Sequence, residues 1–164
     1  MTGPVFSHWR LTPALQLSTR AAAAAGLSLA TAEGLHLQFP IYAMIGSVIV
    51  TELSPVETRR LGRSRLVATI VGATVGALLS QTSVTRAILI AIGIGSSMFI
   101  MHAAGYSGAA RVAGYTCGLV MLQYHEHPWV YAWYRLYETV LGILMATLVS
   151  YVPMLIRKDS GQAA

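Results

Sequence analysis

Between Arg65 and Arg86 the chain reads LVATIVGATVGALLSQTSVT (66–85), twenty residues without a charge. A helix needs roughly 20 mainly apolar residues to cross a ~30 Å hydrocarbon core, so this stretch reads as a membrane span. Residues 34–51, 87–110 and 139–156 also lack Asp, Glu, Lys and Arg, in runs of 18, 24 and 18, and mark three more helices. The stretches 21–32 and 112–125 hold only 12 and 14 such residues and must borrow flanking turns. The pattern predicts helices near 14–34, 39–53, 55–82, 86–104, 108–124 and 129–156. The expected fold is an all-α membrane protein of about six transmembrane helices over 14–156, between cytoplasmic tails at 1–13 and 157–164.

Composition agrees. Of 164 residues, 55% are hydrophobic and 10% charged, with a mean hydropathy of +0.60, whereas soluble domains carry about 25% charged residues. Eleven Lys+Arg against six Asp+Glu give +5. The basic residues punctuate apolar runs and form no stripe, so nucleic acid is not expected as a partner. The single cysteine, Cys117, excludes an intrachain disulfide and a cysteine metal cluster, and reads as a buried small residue. Arg20, the run Ala21 to Leu29 and the triplet Ala30-Thr31-Ala32 mimic a secretory signal. The segment is read here as a retained first helix.

Two helix starts carry their own signals. Ser54-Pro55-Val56-Glu57 combines a hydroxyl at the N-cap, proline at the first helical position and glutamate three residues after the cap, the pattern of a capping box. His127-Pro128 offers a weaker start for the last helix. Each of these helices would run about 28 residues, roughly 42 Å at ~1.5 Å per residue, and must tilt or project beyond the hydrocarbon. With the N-terminus inside, the cytoplasmic side holds Arg10, Arg20, Arg59, Arg60, Arg63, Arg65, Arg111, Arg157 and Lys158, and the other side Arg86 and Arg135. Nine against two places both termini in the cytoplasm. Trp129, Tyr131, Trp133, Tyr134 and Tyr137 gather at the outer start of the last helix as an interfacial aromatic belt, with a stacking site for an aromatic ligand as the alternative.

An offset of 70 residues aligns Arg65, Thr69, Gly72 and Gly76 with Arg135, Thr139, Gly142 and Ala146. Positions 0, 4, 7 and 11 share one helix face, so each face combines a charge, a hydroxyl and two sites of close backbone approach. Ala43, Ser47 and Val50 align with Ala113, Cys117 and Val120. A three-helix unit crosses an odd number of times, which inverts the second copy, and transporters commonly place their ligand path between such copies.

Pro40 to Val50 running into Thr51-Glu52, then Arg65 with Thr69, Gly72 and Gly76, then Arg135-Leu136-Tyr137-Glu138-Thr139 with Gly142, resemble the membrane domain of the fusaric acid resistance and aromatic acid exporter family. The plant aluminium-activated malate transporters look similar to that domain. The resemblance covers roughly residues 18–156 and implies a membrane transporter or channel for small organic, including aromatic, anions. Larger relatives add cytosolic domains or repeat the membrane unit, which implies a homo-oligomer, with a dimer as the default.

Arginine within a span costs roughly 2.5–3.5 kcal/mol on insertion scales and turns to a protein interior or a wet cavity. Arg65 and Arg135, with Thr69 and Thr139 beside them, are therefore candidates for the anion path, near its opposite mouths. The alternative is an ion pair that locks helices, and Glu138 at i+3 offers Arg135 one. Glu138 itself aligns with Ala68 and reads as a proton carrier or as that counter-ion. Arg111, flanked by Gly108, Ala109, Ala110 and Ala113, is either a ligand contact at a helix start or a topology charge. Gly72, Gly76, Gly142 and Ala146 are read as helix-packing positions. His125-Glu126-His127 holds metal-competent residues without a third distant ligand and is read as loop. No nucleophile with a base, phosphate loop or HExxH motif occurs, so neither an enzyme nor a cofactor is expected. The competing function is a non-transporting accessory subunit of a larger membrane complex.

Overall fold

The computed structural model describes residues 8–82, 85–123 and 127–152, with side chains from residue 13 onward. These residues form six α-helices and no strand: α1 (His8–Gly34), α2 (Pro40–Val50), α3 (Pro55–Leu79), α4 (Arg86–Ala103), α5 (Ala110–Gln123) and α6 (Pro128–Ser150). A short 3-10 turn, Ser107–Ala109, leads into α5. The first helix begins at His8, ahead of the expected residue 14, and runs unbroken past the signal-like triplet. Helix α4 is long and apolar enough by itself to cross a membrane, whereas α2 is apolar but has only 11 residues. Its expected extension to residue 53 stops at Thr51, whose hydroxyl turns back onto the Ser47 carbonyl at 2.7 Å.

Helices α3 and α6 start where their prolines predicted, but the capping box does not form. The Ser54 side chain makes no cap hydrogen bond. The Glu57 carboxylate turns to Arg60 at 3.4 Å on the next turn. The backbone N–H of Glu52 donates instead to Thr58 Oγ1, at 3.0 Å.

Helices α3 and α6 pack together at the centre. Helix α5 lies on α3 and α2 on α6, while α1 covers α2 and α6 and α4 covers α5 and α3. Glycine sets the closest approaches. A Cβ on Gly72 would overlap the Ala113 carbonyl of α5, and one on Gly142 the Ala43 carbonyl of α2. Gly62 faces Ile143, Thr69 meets Thr139, and Ala77 clusters with Tyr131. Partner numbers on α6 fall as those on α3 rise, so the two helices run antiparallel.

Helices α1 and α4 end the same way. His36 and Leu37 donate to the carbonyls of Glu33 and Ala32, and Gly105 and Tyr106 to those of His102 and Met101, the bond pair of a Schellman motif. The left-handed residue is Gly105 (φ 80°) in one and His36 (φ 52°) in the other. An L side chain costs roughly 1–2 kcal/mol in that conformation, partly offset by the greater unfolded freedom of glycine. His36→Gly is therefore expected to stabilise the protein by roughly 0.5–1 kcal/mol, read as a higher thermal midpoint in detergent. A lower midpoint would mean that the exposed imidazole makes a contact worth more than the strain.

Candidate functional site

The site is built where α3 crosses α6. Thr69 and Thr139 are both buried, and their hydroxyl oxygens lie 3.5 Å apart. One turn before each threonine stands a buried arginine: Arg65 is 4% exposed and Arg135 2%. Because the helices are antiparallel, these charges lie on opposite sides of the threonine contact, each about 6 Å along its own helix at ~1.5 Å per residue. Arg65 sits beside Gly46 of α2, which also faces Gly142. Its Nε and Nη1 are buried without a hydrogen-bond partner.

Arg135 is held differently. Its guanidinium carbon sits 3.6 Å above the ring of Tyr42 on α2, a cation–π contact. The Tyr131 hydroxyl donates to that of Tyr42 at 3.2 Å, and Tyr42 donates to Gln123 Oε1 at 3.4 Å. Phe39 closes the group, edge-on to Tyr131 with centroids 5.3 Å apart. The Nε of Arg135 has no partner.

Glu138, fully buried, accepts the backbone N–H of Phe39 on Oε1 at 2.9 Å, and its Oε2 has no partner. Arg135 and Glu138 make no direct salt bridge, although Arg135 stays close enough to act on the carboxylate electrostatically. The ion pair among the described residues is Arg60–Glu57, and Arg135 reaches the Tyr42 ring while Glu138 reaches the Phe39 amide. A buried polar group ordinarily finds a partner; Nε and Nη1 of Arg65, Nε of Arg135 and Oε2 of Glu138 have none in the protein, while the Arg65 guanidinium also interacts with the Tyr115 hydroxyl of α5.

The packing residues named from sequence all lie at helix contacts. Gly72 and Gly76 approach Ala113 and Cys117 of α5, Gly142 approaches α2, and Ala146 is buried with Val50 and Val149. Arg111 is exposed in the first turn of α5 and is not brought to Arg65 and Arg135. His125 and Glu126 lie outside the described residues, as do Arg157 and Lys158, while His127 is exposed.

Two arginines read as topology charges have structural work. Arg20 is fully buried on α1, and its Nη1 donates to the carbonyls of Glu52 (3.0 Å) and Leu53 beyond the end of α2. Arg86 at the start of α4 donates from Nη2 to the Met121 (3.3 Å) and Leu122 (2.9 Å) carbonyls at the end of α5. Arg86 satisfies carbonyls in the last turn of α5, where a cation is also favoured by the dipole, whereas Arg20 holds the carbonyls of the connection between α2 and α3. Tyr131 leaves the expected aromatic belt: it is fully buried, while Trp129, Trp133 and Tyr137 remain exposed. Its place four residues before Arg135 was the available signal, since both then share one helix face.

A groove of about 200 Å³ opens beside the crossing, lined by Thr69, Ala73, Trp129, Ala132, Trp133 and Leu136. No curated protein and no solved structure shows significant similarity to the chain. The profile described as fusaric acid resistance protein-like matches residues 23–149, which include Arg65, Thr69, Arg135, Glu138 and Thr139, and the chain belongs to that family.

Proposed function

We propose that this chain is a multi-pass membrane transporter or channel for small organic anions, built as two inverted three-helix repeats with the anion path along the α3–α6 crossing. The observation that carries the reading is the pair of buried arginines with unpartnered nitrogens on either side of the Thr69–Thr139 contact. A guanidinium keeps its charge at any working pH, and its planar fork matches a carboxylate. Fusaric acid, named in the family's description, carries a carboxyl group on an aromatic ring, and Tyr42, Tyr131 and Phe39 surround Arg135 with rings.

The inverted arrangement is supported by contacts that recur at offsets of 66 to 70 residues. Gly72 on Ala113 corresponds to Gly142 on Ala43, and the carbonyl contacts of Arg86 to those of Arg20. The His36 and Gly105 helix ends correspond in the same way. Helices α2 and α5, with 11 and 14 residues, fit the short, interrupted helices from which transporters build midplane sites. The last-turn carbonyls of α5 find a protein partner in Arg86, as backbone at membrane depth requires.

A bilayer around the bundle is supported by large apolar side chains that point outward, among them Phe99 (74% exposed) and Leu148 (60%). The charge bias assigns Arg59, Arg60 and Arg63 to the cytoplasmic side, where with Val56 and Tyr106 they line a cleft of about 430 Å³ suited to collecting anions. Both termini would face that side. A second copy would cover the groove at Trp129 and Trp133, which fits a dimer.

Purified protein in liposomes is expected to move radiolabelled benzoate faster than protein-free liposomes, saturably and with competition from other aromatic carboxylates. If correctly inserted protein gives no flux of benzoate, fusarate or malate, the transport reading fails. The accessory-subunit reading then takes its place, and co-purification with a larger assembly would establish it.

A further inference from the structure

We infer that Glu138 is a proton site linked to the anion path: an anion that binds at Arg135 brings one proton onto the Glu138 carboxyl group. The inference rests on the anion path proposed above and names its coupling ion. It starts from a mismatch in the partners of two neighbouring side chains. Glu138 is fully buried and holds one hydrogen bond, from the Phe39 amide to Oε1, with Oε2 free. An ionised carboxylate in that position lacks compensation for its lost hydration. Its cation is one turn away, since Arg135 stands at i−3, a spacing at which side chains meet. Yet Arg135 lies on the Tyr42 ring.

The guanidinium therefore has three competing partners: the Tyr42 face, the Glu138 carboxylate and an incoming anion. With Glu138 ionised, Arg135 and Glu138 sum to zero charge, and an anion entering beside them meets a like charge across a medium that screens it weakly. With Glu138 protonated, Oε2 carries the proton and Oε1 still accepts the Phe39 amide. The carboxyl group then needs no cation. Arg135 keeps a net positive site for the anion. The proton is taken from solvent and adds to the carboxylate as –COO⁻ + H⁺ → –COOH; no other bond changes. A chain of hydrogen bonds runs outward from Tyr131, which shares the Glu138 face of α6 seven residues earlier, through the Tyr42 hydroxyl to exposed Gln123.

The other groups around Glu138 leave Arg135 as its partner of choice. Helix α2 presents the Phe39 amide and the Tyr42 phenol, and α6 itself Arg135 and Tyr131. Helix α3 contributes Arg65, on the far side of the threonine contact, and α5 contributes Gln123 through Tyr42. On α1, Glu33 is exposed and Arg20 is engaged at the opposite end of α2. At the matching position of the other half stands Ala68, so proton control acts on one arginine and at one mouth of the path.

The test is benzoate binding to the detergent-purified protein by titration calorimetry, in buffer pairs of different ionisation enthalpy. It is run between about pH 6 and 9, where benzoate itself stays ionised. Above the pH at which Glu138 ionises in the empty protein, wild type is expected to take up about one proton per benzoate and its affinity to fall roughly tenfold per pH unit; below that pH neither is expected. Glu138→Gln is expected to bind without proton uptake and with an affinity independent of pH. Glu138→Ala, which copies the residue at position 68, is the second neutral variant should the first misfold. Benzoate binding by wild type without proton uptake at any pH in this range overturns the inference and leaves the anion path standing. Proton uptake that persists in the neutral variants assigns the linkage to another group and also overturns it. If wild type binds no benzoate at any pH, the anion path falls and this inference with it.

Discussion

Arg65→Gln and Arg135→Gln will each lower benzoate flux about tenfold to a hundredfold, the loss expected when a charged hydrogen bond of ~1.5–3 kcal/mol is removed at ~1.4 kcal/mol per factor of ten. Glutamine keeps hydrogen-bonding capacity and much of the length, so lost flux reports lost charge and not a new cavity. Neither change should alter insertion or oligomer size. Arg65 has Nε and Nη1 free, and the protein partner its removal strips is the Tyr115 hydroxyl of α5, for which glutamine still offers a hydrogen bond. Arg135→Gln needs a companion, because Glu138 stands three residues on. If Arg135 serves only to neutralise that carboxylate, the single change leaves a lone buried charge and costs about 3–5 kcal/mol. In the structure Glu138 leans on the Phe39 amide, so the cost should fall below that range. The double change Arg135→Gln with Glu138→Gln separates the readings. A stable double variant with full flux removes Arg135 from the anion path, whereas a stable one with flux still lost keeps it there.

What was legible in the sequence follows from what each interaction leaves behind in it. The starts of α3 and α6 were readable because proline at the first helical position is a local requirement, and both helices begin there. The close packing of α3 on α5 and of α6 on α2 was readable because close approach demands small side chains at fixed spacing, which survive as Gly72-Gly76 and Gly142-Ala146. The capping box was not, because Glu57 has a choice that its spacing from Ser54 conceals: Arg60, three residues on, holds its carboxylate. The contacts made by Arg20 and Arg86 left no trace, since their acceptors are backbone carbonyls more than thirty residues away, and any residue supplies a carbonyl. Tyr42 escaped for a related reason. A ring beneath a guanidinium lies on a different helix, at a separation that no periodicity within one helix encodes.

Gly142→Ala and Gly72→Ala will each destabilise the bundle by about 3 kcal/mol or more, at the top of the ~1–3 kcal/mol range for overpacking. The size follows from what the added methyl meets. At Gly142 it meets the Ala43 carbonyl and, at 3.0 Å, the Ser47 amide nitrogen, both backbone atoms of α2. At Gly72 it meets the carbonyl and Cα of Ala113 on α5. No rotamer change relieves either clash; a whole helix must move, and with it the crossing that places Arg65 and Arg135. Gly26 and Gly95 are the controls, because a Cβ there meets nothing within 4 Å. Alanine at those helix-interior positions should gain roughly 0.5–1 kcal/mol from backbone entropy. Gly46 lies between the two cases, with Arg65 Nε and the Gly142 Cα both at 3.8 Å from its added Cβ, an ordinary van der Waals distance. Gly46→Ala should therefore keep its thermal midpoint in detergent near that of wild type while narrowing the space beside Arg65 and slowing benzoate flux. A midpoint that fell as far as that of Gly142→Ala would show that the α2–α6 contact has no slack at Gly46. A normal midpoint with normal flux would place the anion path away from the Arg65 side of the crossing.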